Sequence, residues 1–178
     1  MPGATGRGVR YTVHMDRNQQ KIPGFTLVEL MVTVAVIAII LVIGVPSIAN
    51  MKRSGDLITT SKELVTALNY ARAEAVRQGL DIGVNPISGS WANGWQVEIS
   101  GTAIREFGAP PPGSSVALTT GSAPVTFAGM GNVVTKSCLD VSVTGSSAVR
   151  SVPISPAGRI TTCRDSCANI ASDPTKCD

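Results

Sequence analysis

The strongest hydrophobic pattern in the chain is an apolar run from Phe25 to Val45, which Pro46 interrupts. The run is 21 residues long and contains a single charged residue, Glu29. At about 1.5 Å per residue, a helix of this length crosses the roughly 30 Å of hydrocarbon in a bilayer. A carboxylate inside such a helix costs of order 2.5 to 3.5 kcal/mol, so Glu29 needs a compensating partner.

The helical pattern continues beyond Pro46, because a proline can kink a helix without ending it. An amphipathic stripe follows, in which apolar or small residues recur at steps of three and four. Its members are Leu57, Ser61, Leu64, Leu68, Ala71 and Ala75. Gly79 is typical of the residue that follows a helix, so the pattern predicts one helix from about Phe25 to Gln78. We expect its first part to lie in lipid and its second part to pack on a globular head.

From Asp81 onward the pattern changes to short apolar runs separated by Gly, Pro, Ser and Asn. Such spacing is typical of antiparallel β-structure. The predicted strands are Ile82–Val84, Trp95–Ile99, Ala103–Phe107, Ser115–Leu118, Val125–Phe127, Leu139–Val143, Val149–Ile154 and Arg159–Thr162. The predicted fold is therefore α+β, with a long N-terminal helix packed on an antiparallel β-sheet head.

The junction before the apolar run carries a specific pattern: a basic leader, Gly24, and then Phe25-Thr26-Leu27-Val28-Glu29. This pattern resembles the class III signal of type IV prepilins and type II secretion pseudopilins. The resemblance implies that a prepilin peptidase cuts between Gly24 and Phe25, that Phe25 is then N-methylated, and that Glu29 acts in filament assembly. A free α-amino group on Phe25 would compensate the charge of Glu29. The pattern does not fit an ordinary secretory signal, because such a signal is cut after its apolar region. The alternative interpretation is a plain signal anchor.

Cleavage at this bond would define four segments. They are a leader (1–24, removed), a transmembrane and filament-core helix (25–46), an amphipathic helix (47–79) and a periplasmic β head with a disulfide-bonded tail (80–178). The positive-inside rule keeps the basic leader in the cytoplasm, although Lys52 and Arg53 argue weakly for the opposite orientation. The expected location is therefore the inner membrane, with a single span. Met15 is an alternative start that leaves a shorter basic leader.

Charge and histidine content narrow the function classes. The chain has 15 basic and 12 acidic residues, and the leader holds four of the basic residues and one acid, so the mature chain has 11 of each. Its formal neutrality weakens any argument from charge to nucleic acid. The one histidine, His14, lies in the leader, and the mature chain has no Gly-rich phosphate loop or G-x-S-x-G motif. We therefore expect no enzyme activity, no cofactor and no metal.

Four cysteines lie in the last 41 residues, namely Cys138, Cys163, Cys167 and Cys177. They suit the oxidising periplasm, and four cysteines allow three pairings. The preferred pairing is Cys138–Cys163, which would join neighbouring strands, with Cys167–Cys177 closing the tail. A tetrathiolate zinc site is the alternative.

Three further segments resemble the minor pseudopilins of the GspH/FimT type. They are Leu68–Val76 (LNYARAEAV), Trp91–Val97 (WANGWQV) and Ser155–Ile160 (SPAGRI). The resemblance implies a minor subunit that helps to prime assembly of a type IV pilus or a type II secretion pseudopilus. Its partners would be other major and minor pilins or pseudopilins, the prepilin peptidase and the inner membrane. The cysteine-rich tail favours a pilus, and the choice between the two systems stays open.

Individual residues of these segments have simpler expected roles. We expect Trp91 and Trp95 to pack in or near the core. Arg72 and Glu74 lie off the apolar stripe and are expected to be solvated. Gly158 is expected to supply a turn with positive φ, which places Arg159 at a strand edge.

A second function remains as the alternative. Some FimT-type minor pilins resemble DNA receptors for natural transformation that use a GRxR motif. Here Gly158-Arg159-Ile160-Thr161 lacks the second arginine, which Arg150 and Arg164 could partly replace. Three arginines would contact few phosphates, so binding would be weak and salt-sensitive. A structural filament subunit is therefore the preferred interpretation, and a DNA-binding minor pilin acting in DNA uptake is the alternative.

Overall fold

The computed structural model describes residues 24–171, 175 and 177. The predicted leader, apart from Gly24, lies outside the described residues. The chain divides into two compact units, with the boundary between Leu41 and Val42. One long helix, α1 (Leu27–Gln78), runs through both. Among the described residues it is the one helix whose length and composition would allow it to cross a membrane.

The first unit consists of the N-terminal part of α1. Its apolar side chains are exposed along the whole predicted span up to Val42. The helix begins at Leu27 and continues past Pro46, as the sequence pattern predicted. An exposed apolar helix of this kind is stable in lipid or against other helices, and not in water.

In the second unit, α1 contributes the amphipathic stripe. Every predicted stripe residue is buried, and Thr60 and Ala67 are buried with them. The helix ends at Gln78, and Gly79 follows with a φ of 67°. The Gly79 N–H donates to the Ala75 carbonyl at 2.8 Å, which satisfies one of the last helical acceptors. The predicted end of the helix is therefore confirmed.

Within the described residues, seven antiparallel strands form two sheets. The strands are β1 (Ile82–Pro86), β2 (Trp95–Ile99), β3 (Thr102–Phe107), β4 (Ser114–Thr120), β5 (Val125–Phe127), β6 (Ser137–Val143) and β7 (Val149–Ile154). The first sheet has the order β3-β2-β1-β5 and the second has the order β4-β6-β7. A short helix, α2 (Cys167–Ile170), follows in the tail. The predicted α+β fold is confirmed.

The core of the second unit combines the α1 stripe with the inner faces of both sheets. Its largest fully buried side chains include Trp95, Phe127 and Leu64. Each such side chain stabilises the fold by about 1.5–3 kcal/mol relative to exposure. Trp95 stacks on Phe107 with ring centroids 6.4 Å apart. Trp91 packs against Trp95, and the centroids of these two rings are also 6.4 Å apart. Both tryptophans therefore serve packing, as expected.

The eighth predicted strand, Arg159–Thr162, is wrong. This segment runs along β7 and forms only isolated bridges, Ile154 with Ile160 and Ser151 with Cys163. The Thr161 N–H donates to the Pro153 carbonyl at 3.3 Å, but Pro153 has no N–H to return the bond. A proline in the middle of β7 therefore prevents a continuous ladder on this side of the strand.

The predicted cysteine pairing is also wrong, because the bridges are Cys138–Cys167 and Cys163–Cys177. Cys138 lies opposite Pro153 on one side of β7, and Cys163 lies opposite Ser151 on the other side. Two strand spacings of about 4.8 Å separate them, which exceeds the reach of a disulfide. Since all four cysteines are bridged, the zinc alternative is excluded as well.

Arg72 joins two loops at the end of the head, which corrects the expectation that it is solvated. It is half-buried, and its Nε–H donates to the Gly131 carbonyl at 3.0 Å. The turn at Gly158 lies directly on the same carbonyl. A Cβ built on Gly158 would lie 1.9 Å from the Gly131 oxygen, and Gly158 has a φ of 76°. Only glycine fits there, so the predicted positive-φ turn is confirmed.

We expect Gly158→Ala to lower the free energy of unfolding by about 3 kcal/mol or more, because backbone strain adds to the overlap with the Gly131 carbonyl. Gly89→Ala is the matched control, since Gly89 has a φ of 75° but no atom within 4 Å of its built Cβ. The control should lower the free energy of unfolding by only about 1–2 kcal/mol, because it carries the backbone strain alone. Urea unfolding of the detergent-solubilised chain, followed by tryptophan fluorescence, measures both. Equal losses would contradict the predicted overlap.

Candidate functional site

The segment from Gly24 to Thr26 precedes α1 and is exposed. The side chain of Phe25 is 82% exposed. The peptide bond between Gly24 and Phe25 therefore lies outside helical structure, where a protease can reach backbone atoms. Glu29 lies in the first turn of the helix, four residues after Phe25.

Thr26 caps the helix, a role that the sequence analysis missed. Its Oγ1 accepts a hydrogen bond from the Glu29 N–H at 3.2 Å, and its carbonyl accepts from the Leu30 N–H at 3.1 Å. A threonine three residues before a glutamate is the sequence signature of a capping box. The signal was therefore present in Thr26-Leu27-Val28-Glu29. The cap also places the Glu29 carboxylate near the positive end of the helix dipole.

The three candidate arginines of the head do not form one patch. The bridges along β7 place Arg150 opposite Arg164 and Arg159 opposite Ser155. Arg150 and Arg164 line one cleft of about 210 Å³ beside Leu57 of α1. Arg159 lies opposite Ser155, which is five residues beyond Arg150, or roughly 16 Å at 3.3 Å per residue. The cations are therefore divided between two places on the head.

Arg159 instead shares a groove with Lys136, which the sequence analysis did not single out. The groove has a volume of about 520 Å³ and is lined by Lys136, Pro153, Ile154, Ser155, Pro156, Arg159, Thr161 and Cys177. Lys136 directly precedes β6, and the pairing of Ser137 with Ile154 brings it beside Ser155. Only the register of β6 on β7 reveals this proximity, so no local sequence signal could have found it.

Among the titratable groups that the structure describes elsewhere on the head, Glu74 and Arg77 interact on the surface of α1. Among the described residues no group of three or more His, Cys, Asp or Glu side chains is placed to hold a metal. A hydrogen bond from Arg77, followed by one from Gln78, lowers the pKa of Glu74 to about 2. This contact joins residues three positions apart on the surface of α1. It is a local helix-surface ion pair.

Comparisons with known proteins identify two matching regions and two similar crystal structures of one protein. The family described as type II transport protein GspH matches residues 60–158, and the prokaryotic N-terminal methylation motif matches residues 20–45. The crystal structure of the type IV minor pilin FimU of Pseudomonas aeruginosa PAO1, in space group P21, is 25% identical with a TM-score of 0.55. The similarity covers 62% of this chain and 90% of the FimU chain.

A second crystal form of FimU, in space group P65, gives 24% identity and a TM-score of 0.53, covering 60% of this chain and 91% of that chain. No curated protein matches this chain significantly. The GspH match covers more than half of the chain and spans the α1 stripe from Ser61 onward, both sheets and Gly158.

Non-reducing peptide mapping of periplasmically produced protein should recover Cys138 with Cys167 and Cys163 with Cys177. The first bridge closes a separation of 29 residues and the second closes 14. In the chain-entropy treatment, removing the first pair should cost about 3.6 kcal/mol and removing the second about 3.0 kcal/mol. Two double variants, each with both cysteines of one bridge replaced by alanine, serve as controls for each other. Urea unfolding measures the free energy of unfolding of each. Recovery of Cys138 with Cys163 would contradict the observed strand order.

Proposed function

Because this chain belongs to the GspH family, and so is a minor pilin or pseudopilin, we propose that it is a structural subunit of a type IV pilus. The single observation that carries this proposal is α1, whose exposed apolar surface up to Val42 needs lipid or neighbouring helices to cover it. A head of 25% identity to a type IV minor pilin supports the pilus over a secretion pseudopilus. The family name, type II transport protein, refers to the other system.

We infer that the chain is made as a precursor and matured by one cut. Hydrolysis of the Gly24–Phe25 peptide bond would release the basic leader on the cytoplasmic side and leave Phe25 as an amino terminus. The methylation motif over residues 20–45 supports this step. The apolar part of α1 would then anchor the protein in the inner membrane, with the head in the periplasm.

The new amino terminus gives Glu29 a partner. Thr26 accepts a hydrogen bond from the Glu29 N–H in the first helical turn, four residues after the α-ammonium that cleavage would leave on Phe25. Within a bundle of apolar helices, either charge alone would be uncompensated, which costs several kcal/mol. The pair can form within one subunit or with an adjacent one. We propose that this pairing guides the subunit from the membrane into the filament.

The role proposed for the head is contact with neighbouring subunits rather than catalysis. The comparisons do not support the DNA-uptake alternative. Arg150 and Arg164 also lie in a different cleft from Arg159. This separation argues against DNA binding, because strong binding to a duplex needs many phosphate contacts on one continuous surface.

Replacing Gly24 with a bulky residue should block maturation, because the cut requires close approach to backbone that has no side chain. We expect Gly24→Leu to accumulate as the precursor in membranes. Gly55→Leu is a matched control, because Gly55 lies in α1 with open space around its built Cβ. Intact-mass measurement of the membrane-extracted protein distinguishes the two forms. A wild-type protein that still carries residues 15–24 would overturn the maturation proposal.

Glu29→Ala should be inserted and cleaved normally but enter filaments poorly, because the α-ammonium loses its partner. A penalty of order 2.5 to 3.5 kcal/mol corresponds to roughly a hundredfold lower incorporation. Glu63→Ala, another exposed glutamate on α1, should behave as wild type. Quantitative mass spectrometry of sheared pili measures incorporation. If Glu29→Ala is incorporated normally, the charge pair plays no part in assembly.

A further inference from the structure

The groove between Lys136 and Arg159 has opposed cations on its two sides. Lys136 approaches Ser155 from the β6 side, and Arg159 lies opposite Ser155 on the outer side of β7. Two strand spacings therefore separate the two backbones, which is about 10 Å. Both side chains line the same groove of about 520 Å³. Ser155 occupies the position between them in the plane of the sheet, so a ligand that contacts both cations lies across Ser155 within this groove.

Neither cation has an acidic partner within the part of the chain that the structure describes. Lys136 and Arg159 are both exposed. Two cations that face one groove, with no acidic partner among the described residues, make a local positive site on a mature chain whose total charge is zero. The groove is therefore complementary to a negatively charged ligand.

The floor of the groove distinguishes a peptide from a nucleic acid. Pro153 and Pro156 supply apolar surface, while Ser155 and Thr161 supply hydroxyl groups. Apolar side chains and hydroxyls together suit a peptide that presents both apolar and acidic residues. A duplex needs a long row of cations, and the next arginines, Arg150 and Arg164, line a separate cleft.

The wall that carries Arg159 is held rigidly. Ser155 accepts hydrogen bonds from the Gly158 N–H at 2.8 Å through its carbonyl and from the Arg159 N–H at 3.1 Å through its Oγ. The Ser155 N–H donates to the Arg159 carbonyl at 2.9 Å. Behind this turn, Arg72 holds the Gly131 carbonyl against which Gly158 packs. Little conformational entropy is then lost from this wall when a ligand binds.

We propose that the Lys136–Arg159 groove is a docking site for an acidic peptide segment of a neighbouring filament subunit. This inference rests on the proposed function for the identity of the neighbour, while the recognition chemistry rests on the groove alone. Carboxylates of the segment would pair with the two cations, and its apolar side chains would cover the prolines of the floor.

The test uses the full-length mature protein in a nonionic detergent and a fluorescein-labelled peptide of alternating glutamate and valine. A matched peptide has glutamine in place of glutamate. We expect fluorescence anisotropy to detect salt-sensitive binding of the glutamate peptide. Lys136→Ala/Arg159→Ala should weaken it by about fivefold or more, as two exposed ion pairs predict. Lys136→Arg/Arg159→Lys should retain most of the binding.

The control is Arg150→Ala/Arg164→Ala, which removes the same charge from the other cleft and should leave peptide binding unchanged. Equal loss in the control would show that only net charge matters and would overturn the proposal. Equal binding of the glutamine peptide would overturn it too, as would tighter groove-dependent binding of a short duplex DNA. Peptide mapping of the disulfides verifies that each variant is folded.

Filament incorporation separates this proposal from the proposed function. Lys136→Glu/Arg159→Glu should be cleaved and anchored normally, yet it should be recovered from sheared pili at least about fivefold less than wild type. If the wild-type protein is missing from pili while the peptide still binds, the proposed function is wrong and the docking-site proposal is supported. If the charge-reversal variant is incorporated normally and the peptide does not bind the wild-type protein, the docking-site proposal is wrong and the proposed function is supported.

Discussion

The head depends on one constraint: a single helical stripe must cover the inner faces of two separate sheets. Leu64, Leu68 and Ala71 have no measurable exposure, and they meet inner-face residues such as Val84 and Val141 in one core. The small residues of the stripe matter as much as the large ones, because Ala67, Ala71 and Ala75 leave room for the sheets to approach. Trp95 and Phe127 then fill the remaining volume. The surface features described above are all attached to this core.

The sequence predicted the elements of this fold well and their long-range neighbours poorly. The α1 stripe was legible because its residues recur with helical spacing and Gly79 marks its end. Strands β2, β5 and β7 were predicted with the observed bounds, since Gly, Pro and Ser punctuate each one. The order of the strands within each sheet could not be predicted from the sequence. The pairing of Cys138 follows from β7 lying between β6 and the returning chain, and the separation of Arg159 from Arg150 follows from the register of that chain on β7.

Arg72 illustrates the same limit at a single residue. Its position off the apolar stripe correctly indicated that it does not enter the core. Its hydrogen bond, however, goes to a residue 59 positions away, and no helical periodicity contains that information. The N-terminal region was the most predictable part, because its signals are local. Even there, the capping role of Thr26 followed from a four-residue motif that was present in the sequence and not used.

Pro153 has a consequence for how such heads can pack in a crowded filament. Exposed sheet edges invite pairing with strands of other molecules, which leads to aggregation. Here the outer edge of β7 is covered by the chain that returns through Ile160 and Cys163, and the second bridge fixes that chain to Cys177. Because Pro153 cannot donate, the covering segment stays irregular and does not become a new, fully formed edge strand. On this side of the head, continuation of the sheet by a strand of another molecule is therefore blocked.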